Sequence, residues 1–209
     1  MDASLDLDTW FDNREYKSEL TPDMTLFGMM LTPQVAFKWN YDNAIWVGTN
    51  VAVDFGDRKY KRKPELIAYY RYEGDNGFYA TVGVFPRKKV FGDYPTLFFS
   101  DAVSYYDSNL DGLLLQYFGR RGHVELACDW LNMISDDQRE KFVVFSSGNI
   151  TTQNEKFFAG YYAAMFHQSL AYNGGGVVDN LRADPYIGFR MFKEEDGGYS
   201  YSDLQSRKA

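Results

Sequence analysis

Cysteine occurs once in the 209 residues, at Cys128, and histidine twice, at His123 and His167. A single thiol excludes an internal disulfide and a thiolate metal cluster. The two histidines share no ligand spacing, so neither a metal nor a cofactor is expected. No run of 18 consecutive apolar residues exists, which excludes a transmembrane helix. A basic-then-apolar leader is missing from the start of the chain. Met1-Asp2-Ala3-Ser4 reads as a mature N-terminus behind an added initiator, or equally as a cytosolic start. Cationic excess is missing too: 22 Lys and Arg against 29 Asp and Glu leave a net charge of −7, which argues against nucleic acid or an anionic membrane surface as a partner. The one dense basic run, Arg58-Lys59-Tyr60-Lys61-Arg62-Lys63, falls between two strand candidates and reads as solvated loop.

What the chain does have is aromatic residues, 17 Tyr, 17 Phe and 4 Trp, or 18% of the total. Such residues favour pleated half-buried strands, membrane-interface girdles and sugar-stacking platforms. They recur with period two. Ile45, Val47, Thr49, Val51, Val53 and Phe55 alternate with Trp46, Gly48, Asn50, Ala52 and Asp54, and Val124, Leu126, Cys128 and Trp130 alternate with Glu125, Ala127 and Asp129. That is strand periodicity, not the 3.6-residue helical one. Phe27 to Trp39 alternates likewise, with Pro33 predicting a bulge, a bend or a strand end. Further strands are expected over 4–12, 64–73, 78–85, 111–119, 140–148, 156–170 and 184–192. Turn chemistry separates neighbours at Tyr41-Asp42-Asn43, Gly74-Asp75-Asn76-Gly77 and Arg120-Arg121-Gly122. Short links join neighbours antiparallel, so the fold class is all-β, a meander of nine or ten strands closed into an up-and-down barrel. One domain is expected over 1–192, with a polar tail over 193–209. The stretch 132–140 suits a short helix or turn.

Alternation fits two solvents. A soluble β-domain turns its apolar face inward, whereas an outer-membrane barrel turns it to lipid and lines its lumen with polar groups. Long strands with aromatics near their ends favour the membrane; 24% charged residues and a mean hydropathy of −0.44 suit a soluble protein.

Several segments, taken in order, resemble porin-like outer-membrane barrel proteins of gut-type Gram-negative bacteria. They are Asp8-Thr9-Trp10-Phe11-Asp12-Asn13-Arg14-Glu15-Tyr16, Thr25 to Pro33, Phe85-Pro86-Arg87, Gly92-Asp93-Tyr94-Pro95, Phe99-Ser100-Asp101, Tyr105-Tyr106-Asp107 and Glu125 to Trp130. The resemblance spans about residues 4–192. It implies an outer-membrane location and a barrel that binds or passes a small solute such as a saccharide, with the bilayer as its other partner. The alternative is a periplasmic or secreted all-β glycan-active protein, either a glycoside hydrolase or a carbohydrate-binding module.

For a barrel, the solute-binding candidates are Arg71, Arg87, Tyr105, Tyr106, Arg120, Glu125 and Asp129, with Glu65, Asp6 and Asp8 joining the lumen charges. Arg set against carboxylate filters solutes by charge and size, while rings stack on sugars. The bland reading is solvated cross-strand pairs of well under about 1 kcal/mol each. The sequence contains no Gly-x-Ser-x-Gly elbow and no phosphate-cradling glycine loop, so the non-enzymatic reading leads. If the chain is an enzyme, paired carboxylates are the expected machinery, drawn from Asp101, Asp107, Glu125 and Asp129. Glu125 and Asp129 share one strand face roughly 13 Å apart, too far to act together across one glycosidic bond.

Overall fold

A computed structural model describes residues 1–15, 24–56, 62–96, 98–99, 103–135, 138–169 and 176–190. Ten strands follow one another: β1 (Asp2–Arg14), β2 (Met24–Trp39), β3 (Asn43–Asp54), β4 (Glu65–Glu73), β5 (Phe78–Pro86), β6 (Asn109–Gly119), β7 (Gly122–Asn132), β8 (Lys141–Thr151), β9 (Phe157–Ser169) and β10 (Val177–Phe189). Their order in the sheet is their order in the chain, and the neighbouring strands pair antiparallel. The only helical pieces among the described residues are a 3-10 turn over Arg87–Lys89 and a single turn, α1 (Val103–Tyr106). The all-β meander read from alternation is therefore what forms. Closing it into a barrel would join β1 to β10, a step outside the described ladders. The expected tail over 193–209 and the glycines at 174 and 175 lie outside the described residues.

The chain packs as two units, Met1–Tyr70 and Arg71–Ala209, with the boundary inside β4. In the first unit, β1 and β2 pair along their whole length from Asp2↔Ala36 to Arg14↔Met24. Pro33 neither ends β2 nor inserts a bulge. Leu31↔Val51 and Gln34↔Gly48 keep one register across it, and Thr32 Oγ1 donates to Asn50 Oδ1 at 2.8 Å beside the missing amide. The β2–β3 turn forms at Asn40-Tyr41-Asp42, one residue earlier than expected. Asn40 and Tyr41 both adopt left-handed φ (51° and 57°), which a two-strand ribbon needs to match its own twist.

Burial then assigns the faces. In β2 the inward residues are Met30, Thr32, Gln34 and Ala36, while Leu31, Val35 and Phe37 point outward and exposed. In β3, Asn50 is buried while Val47, Val51 and Val53 are exposed. The second unit repeats the reversal: in β7, Glu125 and Asp129 are 1% and 2% exposed, whereas Val124 and Leu126 are 43% and 44% exposed. The buried face thus mixes polar groups such as Thr32, Gln34, Asn50, Gln116, Glu125 and Asp129 with apolar ones such as Ile67, Phe85, Leu110, Leu114 and Phe145, while the opposite face exposes mostly aliphatic and aromatic side chains, as a barrel wall does toward lipid.

Outward aromatic clusters sit at both ends of the strands. In the first unit Phe11, Phe27 and Phe55 meet edge to face at one end, and Trp39 packs near Tyr70 at the other. In the second, Trp130, Phe142 and His167 stack in a row at one end, while Phe157 meets Phe189 at the other. Connections alternate in length. Those over 15–23, 55–64, 87–108, 133–140 and 170–176 are long, and those over 40–42, 74–77, 120–121 and 152–156 are short. In an antiparallel meander alternate connections share an end, so within each unit the long loops lie at one end and the short turns at the other, as in outer-membrane barrels. Within 133–140 the described residues form a turn rather than a helix, Gln138 N–H donating to Ser135 Oγ at 3.1 Å.

Candidate functional site

The longest connection, 87–108, folds back over the inner face of the second unit as a strap. It is held by two buried carboxylates on β7. Glu125 Oε2 accepts from Phe91 N–H at 2.9 Å and Gln116 Nε2 at 3.0 Å, and Oε1 accepts from Gly92 N–H at 2.7 Å and Ser147 Oγ at 3.1 Å. Backbone amides can satisfy a carboxylate this fully only where the chain runs close against it. At Gly92 a Cβ would lie 2.3 Å from Ser147 Oγ and 2.8 Å from Glu125 Oε1, so glycine is required there. Tyr94 follows, its ring edge to face with Phe145 and Phe99. Its hydroxyl turns toward Ser147 and Glu125 without a well-aligned hydrogen bond to either; burial above all, then the Glu125 charge, pushes the phenol above its ordinary range and keeps it neutral.

The second anchor is Arg87, at the first residue of the strap. Its guanidinium donates to Asp129 Oδ2 at 2.6 Å, to Asp107 Oδ2 at 2.8 Å and to the Asp107 carbonyl at 2.9 Å. Asp129 also accepts from Asp111 N–H at 3.0 Å. Arg87 thus ties the two ends of the strap to β7. The two carboxylates differ in surroundings: the Asp129 side chain is 3% exposed and the Asp107 side chain 52%. Asp129 is thus sealed against Arg87, while Asp107 stands open to solvent.

Beside Arg87 a cleft of about 390 Å³ opens between the strap and the inner face of the sheet. Phe98, Phe99 and Val103 line it from the strap, and Leu131, Val143 and Phe166 from the strands. Its polar border is Arg87, Asp107 and Asp129, with Asn180 and Arg182 from β10. An apolar slot with charge at one border can hold an acyl chain and the polar group that carries it.

Three of the expected site residues, Arg87, Asp107 and Asp129, converge here. Glu125 acts in the separate strap anchor. Arg71 is absent from the cleft: it pairs with Glu73 and lies over the Tyr79 ring. Arg120 sits exposed in the β6–β7 turn, and α1 lines the cleft through Val103 rather than through Tyr105 or Tyr106. Asp101 lies outside the described residues. Sequence reasoning missed Phe98, Phe99, Asn180 and Arg182. The two β10 residues were missed because that strand was expected over 184–192 and in fact begins at Val177. Alternating Asn180 and Arg182 with apolar Leu181 and Ala183 was the available signal.

Fold and site together define a class: an all-β, ten-stranded antiparallel meander whose inner face carries a strap and a charged cleft. Comparison with family models makes it particular. Residues 1–189 match the lipid A 3'-O-deacylase-type family, and the chain belongs to that family, a group of outer-membrane-associated enzymes that modify lipid A. No curated protein matches the chain. Membership overturns the resemblance to porin-like proteins and, with it, the passage of a small solute, the saccharide ligand and the glycan-active alternative. It also corrects the leading expectation of a non-enzyme, since the family is one of enzymes. The long strands with aromatics near their ends that favoured a membrane barrel are properties of any barrel wall, whatever its interior does.

Proposed function

We propose that this chain is an outer-membrane β-barrel enzyme that removes an ester-linked acyl chain from lipid A in the cleft beside Arg87. The observation that carries the reading is the cleft: an acyl-sized, largely apolar slot lined also by two carboxylates and two guanidinium groups, in a member of a lipid A deacylase family. Ester hydrolysis needs a base for water and a cation for the oxyanion. In this reading Asp107 accepts the proton as water oxygen bonds to the acyl carbonyl carbon, and returns it to the sugar oxygen as the old C–O bond breaks. Arg87 and Arg182 stabilise the anionic intermediate or hold a lipid A phosphate. Asp129 positions Arg87. Purified protein in detergent, incubated with hexa-acylated lipid A, is expected to release a 3'-linked acyl group, seen as the matching mass loss. Asp107→Asn is expected to slow release by about 10²-fold or more, the usual scale of a lost general base. Lipid A of unchanged mass after prolonged incubation with folded protein would sink the catalytic reading.

The membrane part of the proposal has its own test. Val47 lies mid-strand on the outward face. Val47→Arg is expected to cost about 2–4 kcal/mol of folding free energy in bilayers, the scale for a cation on the lipid face. Urea titrations of protein folded into vesicles read the cost, and an unchanged midpoint would argue that this face does not meet lipid.

A further inference from the structure

A second site lies at the short-turn end of the second unit, on the face of the sheet opposite the strap. On the outward face of β8, β9 and β10, Ile150 pairs across to Ala159 and Ala159 to Ile187, while Phe157 pairs with Phe189 at a ring separation of 5.0 Å. These side chains border a groove of about 680 Å³, within the range of small-molecule sites (about 300–1,000 Å³). Ile150, Phe157, Ile187 and Phe189 are half or more exposed, Ile187 at 89%. Arg121, in the β6–β7 turn, borders the same groove. Its carbonyl is fixed by Thr151, which donates both N–H and Oγ1 to it at 2.7 and 3.1 Å. Thr151 therefore pins the turn to β8 and leaves the guanidinium exposed at the groove mouth.

The charge around the mouth has one dominant sign. The β6–β7 turn carries Arg120 and Arg121; the β8–β9 turn carries Lys156 beside Glu155; and Arg190 follows β10, its N–H donating to the Lys156 carbonyl at 2.8 Å. The turns and strand end flanking the groove thus carry four cations and one carboxylate; of these Arg121 lines the groove itself, and the Arg190 guanidinium lies over the Phe158 ring. Aliphatic and aromatic side chains below a cationic rim match a lipid with acyl chains and an anionic head.

We infer that this groove binds one anionic phospholipid of the leaflet at the short-turn end, with an acyl chain along Ile150, Phe157, Ile187 and Phe189 and the phosphate on Arg121. The inference rests on the strands crossing the membrane. It is distinct from lipid A binding, which uses the opposite face of the sheet near the other end. Such a lipid would fix the depth and tilt of the wall that carries the cleft, since it bridges the β6–β7 and β8–β9 turns.

The experiment uses the full chain, delipidated in detergent and offered phosphatidylglycerol or phosphatidylcholine with identical acyl chains. Bound lipid is counted by native mass spectrometry. The unaltered protein is expected to favour phosphatidylglycerol by roughly fivefold per engaged cation. Arg121→Gln is expected to lower that preference about fivefold, Arg121→Lys to keep most of it, and Lys63→Gln, in the 55–64 connection, to leave it unchanged. Equal retention of both lipids, an Arg121→Gln protein behaving as the unaltered one, or an equal loss in Lys63→Gln overturns the inference. Folding into vesicles is scored beforehand by heat-modifiable gel mobility. A chain that never inserts overturns the membrane reading and this site with it; a chain that inserts but shows no lipid preference overturns this site alone.

Discussion

Replacing Arg87 with alanine is expected to abolish lipid A deacylation and to cost about 3–5 kcal/mol of stability, the scale for breaking a buried ion pair by removing one partner. The reason is Asp129. Its carboxylate is almost fully buried, and without Arg87 it keeps only the Asp111 N–H as a described hydrogen-bond partner. An isolated buried charge is the costly species; a neutral pair in its place is not. The double substitution Arg87→Met/Asp129→Leu is therefore expected to recover most of the stability while activity stays lost. Urea midpoints and acyl release measured on the same preparations separate the two effects. If the double variant is as unstable as Arg87→Ala, the stability loss does not come from the orphaned carboxylate. If Arg87→Ala retains activity, the cleft is not where the acyl bond is cleaved.

Glu125→Ala is expected to release the strap. The substitution leaves the Phe91 and Gly92 amides without their acceptor and takes away one of the two bonds made by Gln116 Nε2, the other being to the Lys89 carbonyl at 3.0 Å. A buried donor left without a partner costs about 1–3 kcal/mol, so several kcal/mol would be lost from this one connection. The strands keep their ladders, so the loss falls on the strap and not on the wall. Trypsin is expected to cut after Lys88 or Lys89 in the variant and spare the parent, with the heat-modifiable β signal preserved in both. Because Phe98, Phe99 and Val103 reach the cleft from this strap, KM for lipid A is expected to rise more than kcat falls. Glu125→Gln retains one acceptor oxygen and should fall between the two. A protease-resistant strap in Glu125→Ala would show that aromatic packing of Tyr94 on Phe145 and Phe99 holds the strap without the carboxylate.

The outward His167–Asp179 pair, with Nδ1 and Oδ1 2.7 Å apart, is the polar exception on an otherwise apolar face of β9 and β10. It lies at the long-loop end in line with Trp130 and Phe142, where an aromatic row places a barrel's interface with the headgroups. A polar pair is tolerable at that depth and not at mid-strand.

The strands and their antiparallel sequence could be read from the chain alone, because period two and turn residues such as Gly74-Asp75-Asn76-Gly77 are local properties of a few neighbouring residues. Arg87, Asp107, Glu125 and Asp129 were visible as charges on or beside strands for the same reason. Which face is buried was not legible, since alternation is unchanged when its two faces are exchanged; only the sheet and the strap over it put Gln116, Glu125 and Asp129 inside and Val124 and Leu126 outside. The pairing of Arg87 with Asp129, 42 residues away, and the glycine required at Gly92 against Ser147 depend on how the longest connection folds back. No local rule specifies that path. It is set by where buried carboxylates on β7 find amide donors, which is a property of the tertiary structure.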